Sequence, residues 1–326
     1  MDREKRKKVL IIWVLLTSLL LTTTSYAWFT TSRVVTINSL NVHVAAEGGL
    51  EISPDADSWK AILSLNDIIN ARDTYPNSRN QIPNLLEPVS TGGNIENGLL
   101  KMYYGTASND GGTDFILTAT REIEEEGFGD ESNGKFIAFD VFLKVPSEKT
   151  IYLSSKAGVK YNGDTNTGIE NAMRIAFLVQ GNVPKETPIA TIQNLKGATS
   201  PYIWEPNYDV HTAYGVANAL NVYGITTTMT GGRLLSYAGV IEEIKTSDNV
   251  AIQNATVTNY PHLFKNVKVD IATIANFSEY KQVFVLQPGV TKVRIYVWIE
   301  GQDVDCEDNA SVGDVTIDIQ LTTNPA

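Results

Sequence analysis

The stretch Lys292-Val293-Arg294-Ile295-Tyr296-Val297-Trp298-Ile299-Glu300 alternates without a break. Val293, Ile295, Val297 and Ile299 fall on one side of an extended chain, and Lys292, Arg294, Tyr296, Trp298 and Glu300 on the other. Successive side chains of a β-strand point to opposite faces, so this period of two marks a strand with one buried and one wet face. Residues 314–321 repeat it, with Val315, Ile317, Ile319 and Leu321 inward and Asp314, Thr316, Asp318 and Gln320 outward. Residues 266–271 follow the same rule, and Leu40, Val42 and Val44 alternate with Asn41, His43 and Ala45. Ile137, Phe139, Val141 and Leu143 form another apolar face, as do Met173, Ile175, Phe177 and Val179. With 151–153 and 283–286 there are at least eight strands, often joined by turns such as Gln287-Pro288-Gly289. Strands that each bury one face need a second sheet to close on. The expected fold is therefore all-β, a jelly-roll-like antiparallel β-sandwich. Strand and helix do not alternate regularly, which argues against a doubly wound or α/β-barrel architecture.

Two stretches depart from this pattern. Residues 59–72 place Trp59, Ile62, Leu63, Leu65, Ile68 and Ile69 at helical spacing, with Asp57 or Ser58 as N-cap, and predict a short helix. Residues 181–260 are rich in Gly, Thr and Asn with weak periodicity, and read as an irregular insertion within one domain spanning 28–326. A 326-residue chain that is 43% hydrophobic and 19% charged can bury a core, which excludes wholesale disorder. Its net charge of −11 argues against nucleic acid and anionic membrane surfaces, because either polyanion repels the body at long range. One cysteine, Cys306, leaves no internal disulfide and no Cys-based zinc framework.

The first eight residues carry five basic and two acidic side chains, and residues 9–32 carry no formal charge. Residues 9–21 have the length of a signal-peptide apolar region, and Ser25 and Ala27 satisfy the small-residue requirement before a cleavage point. Cleavage there makes Trp28 the new N-terminus and 1–27 a signal peptide; loss of that leader takes the net charge to −14. The alternative is an uncleaved anchor, since a bilayer core of roughly 30 Å needs only about 20 residues of helix. In both cases the basic start stays in the cytoplasm and the acidic body is exported, touching the membrane only through its N-terminal segment.

Catalytic motifs are missing. His43, His211 and His262 are the only histidines, and no HExxH, GxSxG or P-loop pattern is present. His211 follows Asp209, and Glu205 and Asp209 lie near Trp204, an arrangement also seen in glycosidase clefts, yet nothing pairs them into a constellation. A hydrolase working from Glu205, Asp209 or His211 is therefore the last reading, and the chain is expected not to be an enzyme. The acidic loop 300–309 offers Asp303, Asp305 and Asp308 as calcium ligands, because calcium takes six to eight oxygens. Its competing reading is a solvated turn with Asp and Asn side chains bonded to local backbone. Turns also account for 109–114 and 164–168. Cys306 lies among four acids, which disfavour a thiolate. On the outward face of the opening stretch, Tyr296 and Trp298 either stack on a sugar or lie beneath the insertion or a neighbouring subunit.

The junction Tyr26-Ala27-Trp28-Phe29-Thr30, followed by Val35-Thr36-Ile37-Asn38-Ser39-Leu40-Asn41-Val42, resembles the TasA and camelysin group of exported surface proteins. Members share a hydrophobic leader ending in aromatic-Ala before an aromatic, processed by a dedicated SipW-type signal peptidase. The resemblance covers roughly the first 55 residues. It implies a jelly-roll subunit of a Gram-positive cell-surface or biofilm-matrix fibre, whose mature N-terminal segment is donated to the next subunit as a strand. Here that assembly strand would carry Val35, Ile37, Leu40, Val42 and Val44, completing a sheet edge by β-augmentation. Camelysin has been described as a metalloprotease, but this chain lacks a zinc motif, and it is larger than the group's short members. The stretch Trp298-Ile299-Glu300-Gly301-Gln302-Asp303-Val304-Asp305-Cys306 resembles a segment of large exported Gram-positive proteins to which no function attaches. The C-terminus Asn324-Pro325-Ala326 carries no sortase motif, so surface retention is expected through self-association, other surface proteins or the leader. A surface adhesin or carbohydrate-binding module is the alternative function.

Overall fold

The computed structural model describes residues 35–45, 48–109, 115–129, 131–162, 168–198, 200–207, 211–217, 237–270, 281–306 and 313–324. The leader with Ser25, Ala27 and Trp28, the loop residue Asp308 and the carboxylate Asp209 lie outside these residues. Ten strands have four residues or more: β1 (Val35–Val44), β2 (Met102–Asn109), β3 (Phe115–Glu122), β4 (Ile137–Val145), β5 (Lys149–Leu153), β6 (Gly158–Tyr161), β7 (Met173–Val183), β8 (Lys281–Leu286), β9 (Gly289–Ile299) and β10 (Gly313–Thr322). Two short helices, α1 (Leu65–Asn70) and α2 (Ile189–Gln193), complete the regular structure used below. Among the described residues no helix is long and apolar enough to cross a membrane.

The fold is all-β, a sandwich of two seven-stranded sheets. One sheet runs β8-β5-β10-β1 and ends on the short strand Ile62–Ser64, with β6 also paired to β10. The other is centred on β4-β9-β7, with Gln81–Pro83 outside β4 and Tyr202–Trp204 outside β7. The apolar faces read from the sequence meet between the sheets. Leu40, Val42 and Val44 of β1, and Val315, Ile317, Ile319 and Leu321 of β10, share one core with Phe139 and Val141 of β4, Ile175 and Phe177 of β7, and Ile295 and Val297 of β9. Each strand fills this layer with every second residue, and β-branched side chains suit a pleated, buried surface.

One pairing breaks the antiparallel expectation. β1 lies parallel to β10, in register from Val35 opposite Gly313 to Val44 opposite Leu321, with a slip between Ile37 and Ser39. The opening and closing strands of the described body are thus neighbours. On its other side, among the described residues, β1 pairs with Ile62–Ser64 and Leu85–Leu86.

The expected helix over 59–72 shrinks to α1. Edge pairing to β1 holds residues 62–64 extended, putting Leu63 into the core and leaving Ile62 half exposed. Ser64, rather than Asp57 or Ser58, caps the helix through a reciprocal box with Asp67. Of the strand expected at 266–271, Asn266 lies in the strand Phe264–Asn266, paired with Ala238–Val240, residues 267–269 are in none, and Ile271 lies outside the described residues.

The largest departure is on the outward face of β9. The alternation puts Lys292, Arg294, Tyr296, Trp298 and Glu300 on the wet face, with cover by the insertion or a neighbour left open for the two rings alone, yet the five exposures are 5, 1, 0, 0 and 0%. A third layer covers them. The hairpin of β2 and β3 pairs with Val89–Ser90 and Val250–Ala251 into a four-stranded sheet with a second apolar core containing Leu117, Val240, Val250 and Phe264. A further cluster, including Val89, Leu100, Met102 and Phe136, packs on Tyr296 and Trp298. The described parts of 181–260 serve this cover: α2, the strand Tyr202–Trp204 and the segment from 237 to 260 all pack on the sandwich or on β2 and β3.

Truncating Ile295 to Ala should cost about 2–5 kcal/mol in urea unfolding, because it leaves a cavity between two closed sheets. Asp314→Asn, on the open face of β10, should stay within about 0.5 kcal/mol of the parent. Equal losses from the two would contradict the assignment of faces.

Candidate functional site

Charged side chains on the covered face of β9 and its neighbour β7 are too far from water to stand alone, so each must find partners inside. They do so in two clusters. In the first, Arg294 forks between two acids: Nη1 donates to Asp140 Oδ1 at 2.8 Å, while Nε and Nη2 donate to Glu124 Oε2 at 3.0 and 2.5 Å. Asp140 stands opposite Arg294 in the β4–β9 register, so the backbone ladder itself delivers the pair. Lys292 Nζ lies 3.2 Å from Asp140 Oδ2 and donates to the Tyr75 hydroxyl at 2.9 Å and the Gln193 carbonyl at 2.7 Å. Tyr75 in turn donates to Asp140 at 2.8 Å. The Tyr296 hydroxyl donates to Glu124 Oε1 at 2.6 Å and accepts from the Leu100 amide at 2.9 Å. Burial pushes the Asp140 carboxyl upward, but Arg294 and then Lys292 outweigh it and hold its pKa below the usual carboxylate range. Lys292 is pulled below the ordinary lysine value, chiefly by burial and against the attraction of Asp140.

The second cluster joins the start of β7 to the loop after β9. Arg174 Nη2 sits 2.9 Å from Glu205 Oε1 and 2.5 Å from Asp303 Oδ2. His211 Nδ1 lies 2.6 Å from Asp305 Oδ2, and its Nε2 is 3.8 Å from Glu205 Oε1. Asp305 Oδ1 accepts from the Thr212 amide at 3.0 Å and hydroxyl at 2.6 Å, and Oδ2 accepts from Asn171 at 3.1 Å. Beside them Glu300 accepts from Trp298 Nε1 at 3.0 Å and the Gln302 amide at 3.0 Å. Burial lowers the His211 pKa, but Asp303, Asp305 and Glu205 override it and raise it to about 9. Burial drives Glu300 up to about 7 against its hydrogen bonds. Glu205 is also raised by burial, opposed first by Arg174.

The expected calcium ligands Asp303 and Asp305 do converge, joined by Glu205 and His211 from the insertion. Ligand atoms of Glu205, His211 and Asp303 lie within 4.8 Å of one another. Between Glu205 and Asp303, however, the guanidinium of Arg174 takes the place a cation would hold, and both Asp305 oxygens accept N–H or O–H donors. Calcium takes six to eight oxygen ligands, and the carboxylate oxygens here are already engaged by protein donors. The donor set as arranged is that of a closed ion-pair network.

The other sequence candidates fall apart in space. His43 is on the open face of β1, 3.3 Å from Asp318, and His262 is exposed. Cys306 is fully buried in the main core. Of the two readings given above for Tyr296 and Trp298, the structure has the covered one: both are fully buried and present no face to an outside sugar. Val35, Leu40, Val42 and Val44 are buried on β1, with Ile37 packed beside them. Arg174, Asp140 and Glu124 were not singled out from the sequence. The available signal was a charged residue inside an otherwise apolar run, Met173-Arg174-Ile175 and Phe139-Asp140-Val141, which requires a buried partner of opposite sign.

Compared with protein-family models, curated proteins and solved structures, the chain matches none. Two measurements probe the clusters. Arg294→Met should destabilise by about 3–5 kcal/mol in urea unfolding, since it leaves Glu124 a buried carboxylate without its cation and Asp140 with Lys292 alone; a loss below about 1 kcal/mol would show that water reaches them. His211 binds its proton more tightly folded than unfolded, so its contribution is complete below about pH 6.5 and disappears as pH rises through about 9. Parent stability should therefore fall across that window, and His211→Gln should flatten the fall. Parallel pH curves for parent and variant would reject a charged His211.

Proposed function

We propose that this protein is an exported structural protein of the cell surface or biofilm matrix, whose copies join by exchanging β1. The observation that carries the reading is the seat of that strand. β1 is the first described element, is paired along its length with β10 from far along the chain, and among the described residues is flanked on the other side by strands of three and two residues. Its buried side, with Val35, Leu40, Val42 and Val44, is an integral part of the main core. A β1 supplied by a second copy makes the same hydrogen bonds and the same apolar contacts, so exchange is nearly neutral in contact energy and each vacated slot needs another donor. Gly48 and Gly49 follow β1, both at φ +77°, a conformation that glycine adopts freely and that suits a hinge. The leader composition and the aromatic-Ala-aromatic junction support export and assembly of the TasA type.

The alternative of a surface carbohydrate-binding module draws no support from Tyr296 and Trp298, whose rings are covered. A hydrolase reading gains a buried His211 beside Asp305 and Glu205, but both carboxylates are held in ion pairs on the network and the neighbouring Thr212 hydroxyl donates to Asp305 rather than to His211.

The test is size-exclusion and electron microscopy of protein beginning at Trp28, over a range of concentration and with or without calcium. Oligomers that lengthen with concentration, and that take up an added peptide of residues 34–45 as a chain terminator, are the expected result. Monomers under every condition would reject exchange.

A further inference from the structure

Above the Arg294 cluster lies a cavity of about 780 Å³, a volume suited to a small ligand. Its floor is Tyr75, Asp140, Lys292 and Arg294, all buried, and its mouth carries exposed Arg79 and Lys196. Four basic side chains and one carboxylate line it, in a chain whose net charge is −11. The floor is internally balanced: Asp140 is shared by Lys292 and Arg294, and Glu124 takes the remaining edge of Arg294. The mouth is not balanced. Arg79 and Lys196 form no ion pair among the described residues, and Lys196 is near enough to Lys292 for its charge to weaken proton binding there. Like charges gathered in a recess raise the local positive potential and favour an anion.

The rest of the lining is amide. Asn77, Asn97 and Asn194 stand exposed at the mouth, and Gln180 and Gln193 are buried deeper. Carboxamides both donate and accept, which matches hydroxyl groups rather than an apolar ligand. Both glutamines are held in place, Gln180 by the Gly98 carbonyl at 2.9 Å and Gln193 by the Asp55 carbonyl at 2.7 Å, so the recess is shaped before a ligand arrives.

We infer that this recess binds an anionic, hydroxyl-rich ligand of sugar size, with its acidic group between Arg79 and Lys196 and its hydroxyls on the surrounding amides. The inference is independent of strand exchange, because β1 does not line the cavity. A carboxylate sugar and a polyol phosphate share this chemistry, and the experiment separates them. The full chain is titrated by calorimetry or NMR with D-glucuronate, glycerol 1-phosphate and neutral glucose. Arg79→Gln and Lys196→Gln, both at exposed positions, are compared with Lys160→Gln on the exposed part of β6, and urea midpoints verify that each variant folds.

Saturable binding of glucuronate, weakened about two- to fivefold by either mouth variant and by added salt but not by Lys160→Gln, is the expected result. Binding of glycerol 1-phosphate with the same pattern, in place of glucuronate, supports the site and identifies phosphate as the acidic group. No saturable binding of either anion, equal binding of glucose, or indifference to both mouth variants would overturn the inference.

Discussion

The structure depends on the pairing of Arg294 with Asp140 and Glu124. β9 is the central strand of its sheet and is buried along both faces, so the charges on its outer side sit where an unpaired ion costs several kcal/mol. Asp140 reaches Arg294 because it is the directly opposed residue on β4, and Glu124 arrives on the loop that follows β3. The hairpin of β2 and β3 is thereby tied to the sandwich by a charge pair as well as by apolar contact. The same reasoning extends along β9 to the loop that follows it, where Asp303 and Asp305 meet Arg174 and His211. These ion pairs specify which surfaces meet; the net stability comes from the apolar area buried around them.

The parallel contact between β1 and β10 has a different consequence. It closes one sheet with strands that are far apart in sequence, and it leaves the slot for β1 bounded by short edge strands. A groove of that form accepts any strand with the right alternation and length. The proposed assembly role rests on that physical property.

Much of the sandwich was legible because its core layer is built from strict alternation. Val293 to Ile299 on β9, Val315 to Leu321 on β10 and Ile137 to Leu143 on β4 all point inward as their spacing requires. The hairpin of β2 and β3 was not legible: Met102-Tyr103-Tyr104-Gly105-Thr106-Ala107-Ser108-Asn109 carries few large apolar residues, and Phe115-Ile116-Leu117 shows no alternation. The loop acids were identified as a charged cluster, but their partners Arg174 and His211 lie more than 90 residues upstream in the chain, at separations that spacing rules do not address.

The sequence by itself determined which residues of each strand turn inward, since the pleat assigns faces by a period of two whatever the neighbours are. Only the tertiary structure decided what covers the opposite face. Alternation cannot distinguish a charge facing water from one facing an ion partner, because both satisfy the same local pattern. On β9 the third layer made Lys292, Arg294 and Glu300 interior residues, and decided between the two readings of Tyr296 and Trp298 in favour of packing.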